Sequence, residues 1–63
     1  MWTVVYISQN EQNAQELMKI FTDNKIISRC RNVKHDEKEG CFEVLVPQTE
    51  LHLAQDLIFE NEF

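Results

Sequence analysis

Two stretches of this chain repeat one another, and the repeat limits the folds open to it. Ala14-Gln15-Glu16-Leu17-Met18 returns as Ala54-Gln55-Asp56-Leu57-Ile58, each residue standing 40 positions after its counterpart. The same spacing relates the apolar runs that precede them, Trp2-Thr3-Val4-Val5-Tyr6-Ile7 and Phe42-Glu43-Val44-Leu45-Val46-Pro47. A run rich in β-branched and aromatic residues reads as a strand, and apolar residues at i, i+3, i+4 and i+7 read as a helix. The chain therefore contains two strand-plus-helix units that align without a gap.

Between them lies a third apolar run, Ile26 to Val33, and then a polar stretch, Lys34 to Gly40, that ends in the only glycine and reads as a hairpin loop. Two βα units joined through one more strand form the split arrangement of ferredoxin-like folds. The expectation is a single α+β domain over residues 1–63. It is a ferredoxin-like βαββα unit with a three-stranded antiparallel sheet in the order 1-3-2 and two helices on one face. By the same repeat the second unit would continue into a strand at about residue 66. That lies past Phe63, so the fourth strand of the plan is missing.

Local signals support these elements. Ser8 or Asn10 can cap the first helix, because a short side-chain oxygen accepts from free amides of the first turn. Ala14, Leu17, Met18 and Phe21 give that helix its apolar face. Asn24 suits the left-handed position that ends many helices. Pro47 stops the third strand, since it offers no ladder donor, and Thr49 is the candidate cap for the second helix. Leu51, Ala54, Leu57 and Ile58 form that helix's inner face, with Leu53 off the face and Phe59 at its margin.

Strict alternation assigns the sheet faces. Phe42, Val44 and Val46 lie beneath the helices, and the repeat puts Trp2, Val4 and Tyr6 there too. In the hairpin, opposing Arg29 to Glu43 and Ile27 to Leu45 gives one opposite-charge pair and one apolar pair, each favourable by ~0.2–1 kcal/mol. Thr3, Val5, Ile7, Ile27 and Leu45 are then left on the outer side. That face is too apolar to stand in water on so small a protein, and strand 1 has no charge, proline or glycine to discourage pairing at its edge. A homodimer is expected, with those five residues at its interface, formed through the strand 1 edge, through stacked outer faces, or through both.

Composition excludes several function classes. Six basic residues against eleven acidic give a net charge of −5, which repels polyanions and argues against nucleic-acid or membrane-surface binding. No apolar run approaches the ~20 residues of a membrane span, and the first residues lack the pattern of a signal peptide. A cytoplasmic location is expected, with Cys30 and Cys41 reduced.

Candidate chemistry is sparse. Cys30 and Cys41 would serve a redox disulfide, or a metal site completed by His35 and Asp36. However, the spacing matches no zinc pattern and the register points the two thiols to opposite sides. His35 and His52 have no metal-pairing partner, and the acidic run Asp36, Glu37 and Glu39 lacks the alternation of a calcium loop. Nothing resembles a nucleophile elbow, a phosphate-binding glycine loop or a catalytic triad. The expectation is no catalytic residue, no metal and no cofactor. Lys25, Arg29 and Arg31 share one parity on strand 2, with Lys34 beyond. This small basic stripe is the best candidate for a ligand, or it is edge protection.

The opening Trp2-Thr3-Val4-Val5-Tyr6-Ile7, the helix with Ala14-x-x-Leu17 and Phe21, the junction Asn24-Lys25-Ile26, and the Val44-Leu45-Val46-Pro47 strand entering a helix with Ala54-x-x-Leu57 carry a resemblance. Together the chain resembles the small prokaryotic signal-transducing domains, a family of unknown function. Members commonly have glycine before the isoleucine that opens strand 2, where this chain has Lys25. The resemblance implies a ferredoxin-like domain distantly related in fold to the nitrogen-regulatory signal proteins, and a regulatory role without an assigned binding residue. The resulting expectation is a non-enzymatic regulatory or protein-interaction module acting as a homodimer, with another protein as a further partner. The alternative is a small-ligand sensor that holds an acidic metabolite at the strand 2 stripe or the dimer seam.

Overall fold

The computed structural model describes residues 1–34 and 40–63. The elements run β1 (Trp2–Ser8), α1 (Glu11–Asp23), β2 (Arg29–Lys34), β3 (Gly40–Pro47), a 3-10 turn (Gln48–Glu50) and α2 (Leu51–Glu60). Both β1 and β2 pair antiparallel with β3, so the sheet order is β1-β3-β2. This is the α+β, ferredoxin-like βαββα arrangement that the repeat implies. No described helix is long and apolar enough to cross a membrane.

The core lies between the helices and one sheet face. Ala14, Leu17 and Phe21 of α1 and Ala54 of α2 are wholly buried against Val44 and Val46 of β3, with Ile26 beside them. The small Ala14 and Ala54, equivalent in the repeat, let both helices approach the sheet closely. Asn10 caps α1, its side-chain oxygen accepting from the Gln12 and Asn13 amides at 2.8 and 3.4 Å. Ser8 braces this cap instead of making it: its hydroxyl accepts from the Asn10 amide and donates to the Asn10 carbonyl, both at 3.0 Å. Helix α2 has no side-chain cap and is entered through the 3-10 turn, so Thr49 does not play the role its residue type predicts.

Both helices end in the same way. Asn24 is the last cap of α1 but does not take the left-handed conformation; Lys25 does, with φ 64°. The Lys25 amide then donates to the Thr22 carbonyl at 3.0 Å and the Ile26 amide to the Phe21 carbonyl at 2.8 Å. This closes two of the carbonyls a helix end leaves open, with Ile26 and Phe21 packed as the accompanying apolar contact. At α2, Glu62 takes the left-handed role at φ 58°, and Phe63 donates to the Ile58 carbonyl at 2.9 Å. The caps match as well: Asn24 Nδ2 donates to the Ile20 carbonyl and Asn61 Nδ2 to the Leu57 carbonyl, each at 2.8 Å. Ile26 is thus spent on finishing a helix, and β2 starts at Arg29, three residues after the position its hydropathy predicts.

Two features change the predicted sheet. The hairpin register is displaced by two residues: Arg31 opposes Glu43, Arg29 opposes Leu45 and Cys30 opposes Val44. An even displacement preserves the faces of β2 while exchanging its partners. In β1, the pairing slips between Val4 and Tyr6, leaving Val5 as an extra residue in a bulge. Tyr6 and Val5 pack on the core, and Thr3 opposes the core residue Val46. Trp2 and Val4 oppose Pro47 and Leu45, on the far side. The expectation that Trp2 and Val4 face the helices while Thr3 and Val5 face outward is therefore reversed; for Tyr6, Ile7 and Leu45 it holds.

Candidate functional site

The sheet face away from the helices is the surface where apolar and charged groups meet. Its centre is Leu45, only 9% exposed although no helix covers it. The register sets Leu45 between Val4 on β1 and Arg29 on β2, and Trp2 lies diagonally next to it. The Arg29 guanidinium stands 4.4 Å from the centroid of the Trp2 ring. A cation over an indole face is attracted by the ring quadrupole, worth ~0.5–1 kcal/mol at an exposed site. Spanning β3 from both edges, the pair roofs the leucine.

Beyond Leu45 the face becomes charged. Arg31 donates through Nε to Glu43 Oε1 at 3.0 Å and through Nη2 to the same oxygen. The arginine is largely in water while the Glu43 side chain is mostly covered. An exposed pair of this kind contributes at most ~1 kcal/mol, so its main effect is to fix both side chains. Ile7 lies beside Glu43 at the β1 edge and is 58% exposed, and Val4 is 37% exposed. Ile27, just before β2, is 70% exposed.

These placements divide the predicted site residues. Arg29 and Arg31 do stand on the outer face, each already engaged, by Trp2 and by Glu43. Lys25 is not with them: it sits in the turn after α1, outside β2. Of the predicted interface set, Ile7 and Leu45 are on the outer face, Ile27 is exposed ahead of the strand, and Thr3 and Val5 point to the helix side. Trp2 and Val4 are outer-face residues that alternation misassigned, because no glycine or proline marks the bulge.

The two edges differ chemically. The free edge of β2 carries Arg29, Arg31 and Lys34, all exposed. The free edge of β1, Trp2 to Ser8, carries no charge at all. Charge is also divided by layer. From Glu11 to Lys25 and from Gln48 to Phe63, the helices and their turns hold seven acidic residues and two basic ones. The strands hold three basic residues and one acidic one.

The cysteines lie on opposite faces, as the parity of the hairpin requires: Cys30 opposes the core residue Val44, and Cys41 opposes Val33 on the outer side. No disulfide joins them. Burial, and secondarily the negative charge of Glu11, raise the Cys30 thiol above its ordinary value of 9.0, which favours the unreactive protonated form. His35, Asp36, Glu37 and Glu39 lie outside the described residues. Among those described, no three His, Cys, Asp or Glu side chains converge. On the inner side, Asn13 Nδ2 donates to the Tyr6 hydroxyl at 3.0 Å and to Ser8 Oγ at 3.3 Å, tying α1 to β1. The Ser8 hydroxyl is thus held by Asn13 and the Asn10 backbone.

The chain matches no protein-family model, no curated protein and no solved structure.

Proposed function

We propose that this chain is a non-enzymatic, cytoplasmic interaction module that works as a homodimer in signal transduction, the role of the family its sequence resembles. One observation carries the dimer: the contrast between an uncharged free edge at β1 and a charged free edge at β2. Edge strands that must stay alone are blunted by charge, and only β2 is. Antiparallel pairing of β1 with the β1 of a second copy satisfies a two-fold axis. It would join two sheets and bring Val4 and Ile7 of each copy to one continuous apolar strip.

Light scattering after size exclusion at micromolar concentration tests this directly. The wild-type chain should have twice the monomer mass, and Ile7→Lys, which places a charge on the exposed strip, should have the monomer mass with an unchanged circular dichroism spectrum. A wild-type monomer at that concentration would overturn the proposal. The alternative reading, a sensor of acidic metabolites at Arg29 and Arg31, has less support, because both guanidiniums already have intramolecular partners.

A further inference from the structure

A cleft on the opposite layer, between the end of α1 and the flank of α2, has a consistent chemistry. Its apolar surface comes from Ile26, Leu53 and Leu57, and its polar boundary from Asn24, Asp56 and Glu60. Leu53 is 56% exposed here, an apolar residue off the core face of α2. The volume is about 200 Å³, below the ~300–1,000 Å³ of sites that enclose whole small molecules. It suits one long side chain.

Every polar group on the boundary offers an acceptor oxygen. Asp56 and Glu60 are carboxylates, and the ion pairs among the described residues, Lys19–Asp23 and Arg31–Glu43, involve neither. Asn24 commits one Nδ2 hydrogen to the Ile20 carbonyl, and its amide oxygen is an acceptor. The carboxylates are also unfavourably placed in their own helix. They stand at i and i+4, where like charges destabilise a helix. Glu60 closes the last turn of α2, which has no basic residue, at the negative end of the helix dipole. The C-terminal end of α1, with the same polarity, borders the cleft at Asn24. The neighbouring cation, Lys25, is not among the lining residues. No lysine or arginine follows Lys38 in the chain.

We infer that this cleft receives an arginine or lysine side chain from a partner protein. The aliphatic stem would lie on Ile26, Leu53 and Leu57, and the cationic head would reach the Asp56 and Glu60 carboxylates. Arginine and lysine combine a long apolar stem with a charged tip, which is the distribution the cleft presents in complementary form. The site is independent of the proposed dimer, since it uses the helical layer and none of β1.

The test is an amide-shift titration of the full chain with three blocked tripeptides, Leu-Arg-Ala, Leu-Glu-Ala and Leu-norleucine-Ala. The arginine peptide should give saturable shifts at Ile26, Leu53 and Leu57, and the double variant Asp56→Asn/Glu60→Gln should weaken it about tenfold. Equal binding of the norleucine peptide, shifts that never saturate, or an unaltered affinity in the double variant would each overturn the inference. So would saturable binding of spermidine with silence from the arginine peptide, which would replace a protein partner with a free polyamine. A second measurement needs no ligand: Glu60→Gln alone should raise the melting temperature of the free protein, and a fall would assign that carboxylate a structural duty instead.

Discussion

Lys25 is where backbone and residue type are most directly at odds, and the size of that conflict can be worked out. Its φ of 64° lies in the region that costs a residue with a Cβ ~1–2 kcal/mol and costs glycine nothing. Glycine carries an opposing penalty, because it enlarges the unfolded ensemble by ~0.4–1 kcal/mol relative to alanine. The informative comparison is Lys25→Gly with Lys25→Ala. Both remove the same exposed side chain, and only the first relieves the backbone. The difference should favour glycine by ~0.5–1 kcal/mol. For a domain of this size that corresponds to about 2–8 °C in melting temperature. Thermal melts followed by circular dichroism, with urea titrations for the free energies, would measure it. Glu62→Gly against Glu62→Ala repeats the test at the end of α2, where φ is 58°, and should have the same sign. If the alanine variants equal or exceed the glycine variants, residues 25 and 62 are not left-handed in solution, and the matched helix ends described above are wrong.

Trp2→Ala should cost ~1–3 kcal/mol by urea denaturation, because it both removes the cation–π contact and uncovers Leu45; Arg29→Gln, which leaves the ring in place, should cost less than half as much. The Cys30 thiol, raised in the fold chiefly by burial and then by Glu11, favours the folded state while protonated. Its contribution should therefore be fully present below 9.0 and be lost as pH rises from 9.0 through the higher folded value. Urea midpoints should fall across that range less steeply in Cys30→Ser, and Glu11→Gln should speed alkylation of Cys30 by iodoacetamide at alkaline pH.

What could be read from the residues alone follows from how local each signal is. The repeated Ala-x-x-Leu helices and the runs before them fixed element type and order, because hydrophobic periodicity and a short chain leave few alternatives. The sheet faces of β2 and β3 were readable for the same reason. The hairpin partners were not: matching Arg29 with Glu43 and matching Arg31 with Glu43 are equally good charge pairs, and nothing within the strands decides between registers two residues apart. Ile26 looked like strand because its apolar character does not reveal that it finishes α1. The bulge at Val5 leaves no trace in residue type, so of the five residues that alternation places on the open face, Ile7 and Leu45 lie there, Thr3 and Val5 turn inward, and Ile27 stands exposed ahead of β2. The α1–α2 cleft is not legible in the sequence, because Leu53, Asp56 and Glu60 read as an ordinary wet flank until Ile26 and Asn24 are set against them.

The extra residue in β1 has a consequence for how the strand holds the domain together. Trp2 and Tyr6 are four apart, a separation that in an unbroken strand would send both rings the same way. Here they diverge. The indole meets Arg29 on one surface, while the phenol meets the Phe63 ring edge-on, centroids 5.8 Å apart, on the other. One short ribbon thus fastens the sheet like a rivet with a head at either end, and pairing β1 without the slip at Val5 would turn one of those heads to the wrong surface.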